Sequence, residues 1–267
     1  MSKMKKILAL VCAGVLVASV AVLAACSSSA SVDKNKTYVI ATDTAFAPFE
    51  YQLPDGSSVG IDMDIIKAIA EKQGIKIEIK ALGFDAALQS VQSGQADGVI
   101  AGMSITDERK KVFDFSDAYY DSTVCCAVGV DSDITGMEGL QGKKVAVKNG
   151  TMSAKWADSM KDKYGYTITT FETSDIMYQD VLSGNSVACF EDTPVMAYAI
   201  SNPDSAISGK LKIINQADEK SEFATPYGFA VAKGKNAGLL QAFNAGLKDL
   251  KSSGDYDKII AKYITVG

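Results

Sequence analysis

The 267 residues include no histidine. Imidazole is the usual general base near neutral pH and the commonest metal ligand, so its absence excludes a Ser-His-Asp triad, a Cys-His nucleophile pair and any histidine metal site. Acid-base chemistry by carboxylates or lysine survives in principle. Cysteine is sparse, at positions 12, 26, 125, 126 and 189, and no Cys-x-x-Cys spacing occurs, which removes the zinc and dithiol signatures. Positive charge is also in deficit, with 27 Lys and Arg against 32 Asp and Glu. Nucleic acid requires a basic face and is not an expected partner. There is no internal repeat, and no low-complexity stretch apart from a few serines. No metal and no cofactor are expected.

What is present begins with a secretion signal. Lys3, Lys5 and Lys6 precede an apolar run from Ile7 to Ala25, the order of a signal peptide. The run approaches the length of a membrane span, so a retained anchor helix is the alternative. Its end decides between them. Leu23-Ala24-Ala25-Cys26 resembles a bacterial lipobox, in which the cysteine becomes the lipidated first residue, and Ser27-Ser28-Ser29-Ala30-Ser31 reads as a flexible tether. The expected division is a signal peptide at 1–25 and a lipidated cysteine with tether at 26–36. Such a chain is tied to the cell membrane on its extracytoplasmic face without spanning it. Loss of residues 1–25 removes three lysines and no acid, leaving 24 basic residues against 32 acidic and a net charge of −8. Cys125, Cys126 and Cys189 remain in apolar runs and read as buried thiols; a disulfide from Cys189 to one of the pair is the less favoured option.

The body alternates helical and strand-like patterns, which indicates an α/β class, and its length favours two lobes. Strands are expected at Tyr38–Ala41, Ile75–Ile79, Val99–Ala101, Lys143–Lys148, Val187–Phe190 and near Tyr227–Val231. Helices are expected at 62–73, capped by Asp62 and stopped by Gly74, at Ala86–Val91 before Gly94, at about Ala154–Lys163, after Pro194, and at 237–251 and 255–263.

One segment carries most of the chemistry. In Ile100-Ala-Gly-Met-Ser-Ile-Thr-Asp-Glu-Arg109 an apolar run ends at a glycine, hydroxyl residues follow at 104 and 106, and an arginine arrives seven residues after the glycine. Gly102 permits close backbone approach. Arg109 offers a planar fork suited to a carboxylate. The bland reading is a strand, a turn and a solvated charged helix start.

Three stretches together resemble family 3 solute-binding proteins of polar amino acid ABC importers. They are Gly60-Ile-Asp-Met-Asp-Ile65 with Ile69-Ala70, Ala101–Arg109, and Phe113-Asp-Phe-Ser-Asp-Ala-Tyr-Tyr120. Their order and spacing hold from about Thr37 to Ile264. The resemblance implies a bilobed periplasmic-binding-protein-like fold of type II, with two α/β lobes joined by two hinge segments. Lobe 1 would be 37–120 plus 226–264, lobe 2 would be 124–224, and the hinges would lie near Tyr120–Thr123 and Ala224–Tyr227. It further implies a monomer that captures a small amino acid between closing lobes, presents the closed form to a membrane permease, and is not an enzyme.

The resemblance also distributes roles. Arg109 and Ser104 would hold the ligand carboxylate. The Gly102 carbonyl and Asp192 would take the α-ammonium. Thr151, Met152 and Ser153 would present backbone amides at a helix N-terminus. Phe46 and Phe84 would sandwich the aliphatic part. Read alone, the two phenylalanines favour core packing and Asp192 favours a helix cap. Asp43 and Lys148 would face the distal end of the ligand, where an acceptor-only and a donor-only group together fit a primary amide. Glutamine is therefore the expected ligand, with asparagine second, and the Asp43 and Lys148 pair also resembles the glutamine-binding branch of the family. Cystine, a basic amino acid or a small γ-glutamyl peptide become alternatives if Glu191 reaches the cleft and neutralises Lys148, and Asp43 and Lys148 could also pair with each other. A dehydratase-like enzyme on the same fold is the rival from another class. A sensor is a further rival, but no second span or signalling segment follows up to Gly267, so signalling would need a separate partner.

Overall fold

The computed structural model describes residues 31–264. The expected signal peptide, the expected lipidation site at Cys26 and the first serines of the expected tether lie outside them. Among the described residues, no helix is long and apolar enough to cross a membrane.

The first sheet contains β1 (Thr37–Thr42), β5 (Lys76–Ala81), β6 (Gly98–Val99), β7 (Phe113–Phe115) and β13 (Ala230–Ala232), in the order β5-β1-β6-β13-β7. β1 runs parallel to β5 and β6, whereas β13 is antiparallel to both its neighbours. Helices α1 (Ile61–Gln73) and α6 (Ala237–Ser253) cover one face, with Ile65, Ile69, Phe243, Leu247 and Leu250 in one apolar cluster. The second face packs on α2 (Phe84–Gln92) through Phe84, Ala87 and Val91 against Ala41, Val99 and Phe113. A short antiparallel sheet of β2 (Ala45–Phe46), β3 (Glu50–Gln52) and β4 (Ser58–Val59) leads into α1. The last helix, α7 (Asp255–Tyr263), packs beside α1 and α6.

The second sheet contains β8 (Val124–Gly129), β9 (Lys144–Lys148), β10 (Thr167–Phe171), β11 (Ala188–Asp192) and β12 (Leu211–Gln216), in the order β10-β9-β11-β8-β12. Its strand β8 is buried on both faces. Val124, Cys126 and Val128 point to the side of α3 (Met152–Tyr164), while Cys125 and Ala127 face α4 (Ser174–Leu182) and α5 (Thr193–Ser201). Side chains alternate along a strand, so the adjacent cysteines lie on opposite faces. Cys125, Cys126 and Cys189 are free, buried thiols. Burial raises the pKa of each, which keeps them protonated and unreactive.

The chain crosses between the two sheets twice, once after Tyr120 and once before Ala230. The crossings meet where Tyr227 bridges both Tyr120 and Ser104. The two-lobed α/β architecture is as expected, and several local features differ. Asp62 does not cap α1. The helix begins at Ile61 behind Gly60, whose φ of 125° and whose contact with the Phe49 carbonyl exclude a side chain. Asp62 instead turns inward and is fully buried. α3 starts at Met152, two residues earlier than the sequence suggested, because the Thr151 hydroxyl accepts from the Ala154 amide at 3.1 Å. Of the expected strand residues before β13, Tyr227 forms only isolated bridges, and Gly228 and Phe229 are irregular. The small sheet, β10 and α4 had no clear periodic signal in the sequence.

Candidate ligand-binding site

Two pairs of parallel strands, one pair from each sheet, end in one place. β1 delivers Asp43, β6 leads to Gly102 and Ser104, β9 ends at Lys148 and β11 ends at Asp192. In open α/β sheets this carboxyl edge is where ligands bind, because loops and helix N-termini converge there. Asp43, Phe46, Phe84, Ala101, Gly102, Ser104, Arg109, Lys148, Thr151, Met152 and Asp192 line one narrow, partly open cavity between the two sheets. The expected site residues are thus brought together, with Ser153 the exception. Its side chain is fully buried, and its hydroxyl lies 3.0 Å from that of Thr151, supporting the start of α3 from behind. Ala101 is the lining residue that the sequence did not single out.

The charged groups carry the chemistry. Lys148 donates to Asp43 Oδ2, a buried ion pair that joins one lobe to the other. Both side chains are only 2% exposed, so the pair stands in a medium where removal of either partner is costly. Asp43 Oδ1 accepts from the Thr44 amide at 2.6 Å. The Lys148 ammonium lies 4.9 Å from the centre of the Phe46 ring and 5.8 Å from that of Phe84. Burial lowers the pKa of Lys148, but Asp43 and Glu191 more than offset this, and the net direction is upward. Lys148 stays charged.

Arg109 is half-buried and stacks 5.4 Å from the centre of Phe84. Its Nη1 donates to the Ser104 carbonyl and its Nη2 to the Gly150 carbonyl, each at 2.9 Å. Burial pushes its pKa down to about 10, partly countered by Asp192 and Glu108, and it remains a cation at neutral pH. Neither guanidinium hydrogen bond is spent on a side-chain carboxylate.

Asp192 occupies the cap position of α5 but makes no cap bond. Its Oδ2 accepts from the Tyr227 hydroxyl at 2.5 Å, while its Oδ1 is buried without a partner. A buried carboxylate oxygen with no donor is a place for a cation or an N–H group. Burial and the adjacent Glu191 raise the pKa of Asp192 to about 7. Glu191 does not line the cavity. It is held behind the wall by the Ser174 hydroxyl at 2.7 Å, the Tyr178 hydroxyl at 3.0 Å and the Asp192 amide at 3.0 Å. It still acts on Lys148 electrostatically.

Gly102 has φ of 50°, and a Cβ there would come within 2.4 Å of the Phe46 ring. Its amide donates to Asp62 Oδ2 at 2.8 Å, and the Tyr119 hydroxyl donates to the same oxygen at 2.8 Å. Tyr227, Asp62 and Tyr119 support the site from behind its lining. Asp62 and Tyr119 lie in the Gly60–Ile65 and Phe113–Tyr120 stretches that carry the family resemblance, but no local pattern marked either of them or Tyr227 as a support of the site.

A cleft between two α/β lobes, lined by a guanidinium, an ion pair and an unpartnered carboxylate oxygen, defines a receptor for a small polar zwitterion. The chain belongs to the bacterial extracellular solute-binding proteins, family 3, whose model matches residues 38–266. It is similar to the arginine-binding extracellular protein ArtP of Bacillus subtilis (strain 168), 32% identical over 246 residues, which span 91% of this chain and 92% of ArtP. Among solved structures it resembles substrate-binding domain 2 of Lactococcus lactis GlnP in the open conformation, at 42% identity and TM-score 0.62, covering 89% of this chain and 99% of that one. It also resembles an ancestral arginine-binding protein bound to glutamine, at 38% identity and TM-score 0.74, covering 85% of this chain and 97% of the other.

Proposed function

We propose that this chain captures glutamine outside the cell and hands it to the permease of an ABC importer. The observation that carries the reading is the Asp43–Lys148 pair inside the cavity. A primary amide offers Asp43 a donor and Lys148 an acceptor, so it can enter between them and leave neither charge unsatisfied. Arg109 would exchange its two carbonyl partners for the ligand carboxylate, and Asp192 Oδ1 would accept from the α-ammonium. Glutamate would place a carboxylate against Asp43, and an apolar side chain would leave both buried charges without partners. Each such mismatch costs about 1–3 kcal/mol, or roughly tenfold to a hundredfold in affinity.

A basic amino acid is the second reading. Glu191 favours it, because this buried acid partly neutralises Lys148 from behind, and arginine is named for one of the relatives. The chain is a receptor in both readings and not an enzyme. Its place would be the outer face of the membrane, through lipid on Cys26, which the mass of the mature N-terminal peptide checks.

Calorimetric titration of the chain from Ser27 onward, freed of carried-over ligand, tests the choice. Glutamine is expected to bind at least tenfold more tightly than asparagine, glutamate, arginine, cystine or glutathione. Lys148→Ala is expected to reduce that preference. Tightest binding of arginine would replace the glutamine reading with the basic one. No binding across the panel, with turnover of a prephenate-like acid, would replace both with an enzyme.

A further inference from the structure

Behind the cavity lies a pair of acids that ligand binding does not use directly. Glu50, on β3, is fully buried, and neither of its carboxyl oxygens has a hydrogen-bond donor among the described residues. Asp62, on α1, is also fully buried, and its Oδ1 has no donor either. The Asp62 amide donates to the carbonyl of Phe49, the residue before Glu50, at 2.8 Å, and the Ile61 amide to that of Pro48 at 2.9 Å, so the start of α1 is laced to β3 and the two buried acids are neighbours that act on each other. Two neighbouring carboxyls with three oxygens lacking donors are costly to ionise together in an apolar interior. A single proton on Glu50, donated to Asp62, would satisfy an oxygen on each and remove one of the two buried charges. Asp62 then remains the acceptor for the Gly102 amide and the Tyr119 hydroxyl, both at 2.8 Å.

We propose that Glu50 is held as a neutral carboxylic acid that donates to Asp62, and that this pair positions the Gly102 loop against the ligand's α-ammonium. The second half rests on the amino acid reading given above; the first half does not. Fixed from behind, the Gly102 peptide keeps its orientation and its close approach to Phe46. The groups that bear on Glu50 are Asp62 from α1, Asp43 after β1, Lys148 at the end of β9 and Tyr119 near the first crossing. Burial, then Asp62 and Asp43, favours the neutral form, and Lys148 opposes it. Glu50 is a positioning residue, since it acts through Asp62 and the Gly102 amide.

Two substitutions separate a proton-sharing role from bulk packing. Glu50→Gln keeps a donor toward Asp62 but cannot ionise, whereas Glu50→Ala removes the donor. The full mature chain, carbon-13 labelled at glutamate carboxyls, is followed by NMR across pH, with the Glu50 resonance assigned by its loss in Glu50→Gln. The expected result is a Glu50 carboxyl in the protonated position at neutral pH. Glutamine titration is expected to give Glu50→Gln within about threefold of wild type and Glu50→Ala weaker by more than tenfold. A Glu50 resonance that titrates in the ordinary glutamate range overturns the proposal. So does a Glu50→Gln variant that folds and loses as much affinity as Glu50→Ala. If the alanine variant does not fold, the resonance and the glutamine variant still decide. If wild type does not bind glutamine, the ligand reading fails, and the resonance still judges the acid pair.

Discussion

Asp192 shows how one side chain can set the pH response of binding. An α-ammonium needs the ionised carboxylate, yet burial and Glu191 raise its pKa to about 7 without ligand. The proton belongs to the adjacent Glu191–Asp192 pair jointly. Below that value binding has to expel a proton, so affinity falls as pH falls, by up to about tenfold per pH unit. Titration in buffers of differing ionisation enthalpy is expected to show proton release on binding under mildly acidic conditions. Asp192→Asn is expected to remove that slope and to weaken binding at neutral pH by about tenfold or more, since charge-assisted hydrogen bonds are worth about 1.5–3 kcal/mol. A pH slope unchanged in Asp192→Asn would remove Asp192 from the ammonium site.

At the level of elements, the loop after β6 is the most constrained. Gly102→Ala places a methyl in left-handed backbone and within 2.4 Å of the Phe46 ring. Such strain costs about 1–3 kcal/mol, so thermal unfolding is expected to shift down and glutamine affinity to drop at least tenfold. A variant with unchanged melting and affinity would show that the loop can move freely. This loop was legible in the sequence because its glycine, hydroxyls and arginine are contiguous. α6 was legible because a long amphipathic period marks a helix packed on one side. α4 was not, since Ser174 and Asp175 open it and only Met177, Tyr178 and Val181 are buried apolar residues. Asp62 misled for a related reason. An acid at a helix start ordinarily faces water or caps, and only tertiary structure shows that this one turns toward Gly102. By contrast, Asp43 and Lys148 were recognisable as candidates, and their pairing was already one of the alternatives left open; the structure makes that pair across 105 residues of sequence.

For the molecule as a whole, the buried acids act together on stability. Glu50, Asp62, Glu191 and Asp192 all have folded pKa values above their ordinary ones, Asp62 at about 6 and Asp192 at about 7, with burial as the main cause. A raised folded value means that the native state binds more protons than the unfolded chain between the two values. That stabilisation is complete below the unfolded values and is lost as pH rises through the folded ones. The ligand-free protein is therefore expected to melt at a higher temperature near pH 5 than near pH 8. About 1.4 kcal/mol is at stake for each pH unit that separates a folded value from its unfolded one. The half-exposed or exposed acids with lowered values, Glu108 and Asp114, lose their contributions only at lower pH. Melting curves at constant ionic strength check this; a rise in melting temperature from pH 5 to pH 8 would contradict it.

Tyr227 places the ammonium acceptor beside the axle of the molecule. Its backbone joins the two crossing segments, its hydroxyl accepts from Ser122 at 3.0 Å and donates to Asp192, and the residue after Asp192, Thr193, is tied through its amide to the Thr123 carbonyl at 2.8 Å. A point close to an axle travels little when the wheel turns. Were the lobes to open about this point, Asp192 would keep its bond to Tyr227, while Lys148 and Gly150, farther along the rim, would part from Asp43 and Arg109. On the glutamine reading, the Asp192 end of the cleft would be a berth that stays built, and the Asp43–Lys148 end a gate assembled anew each time the jaws meet.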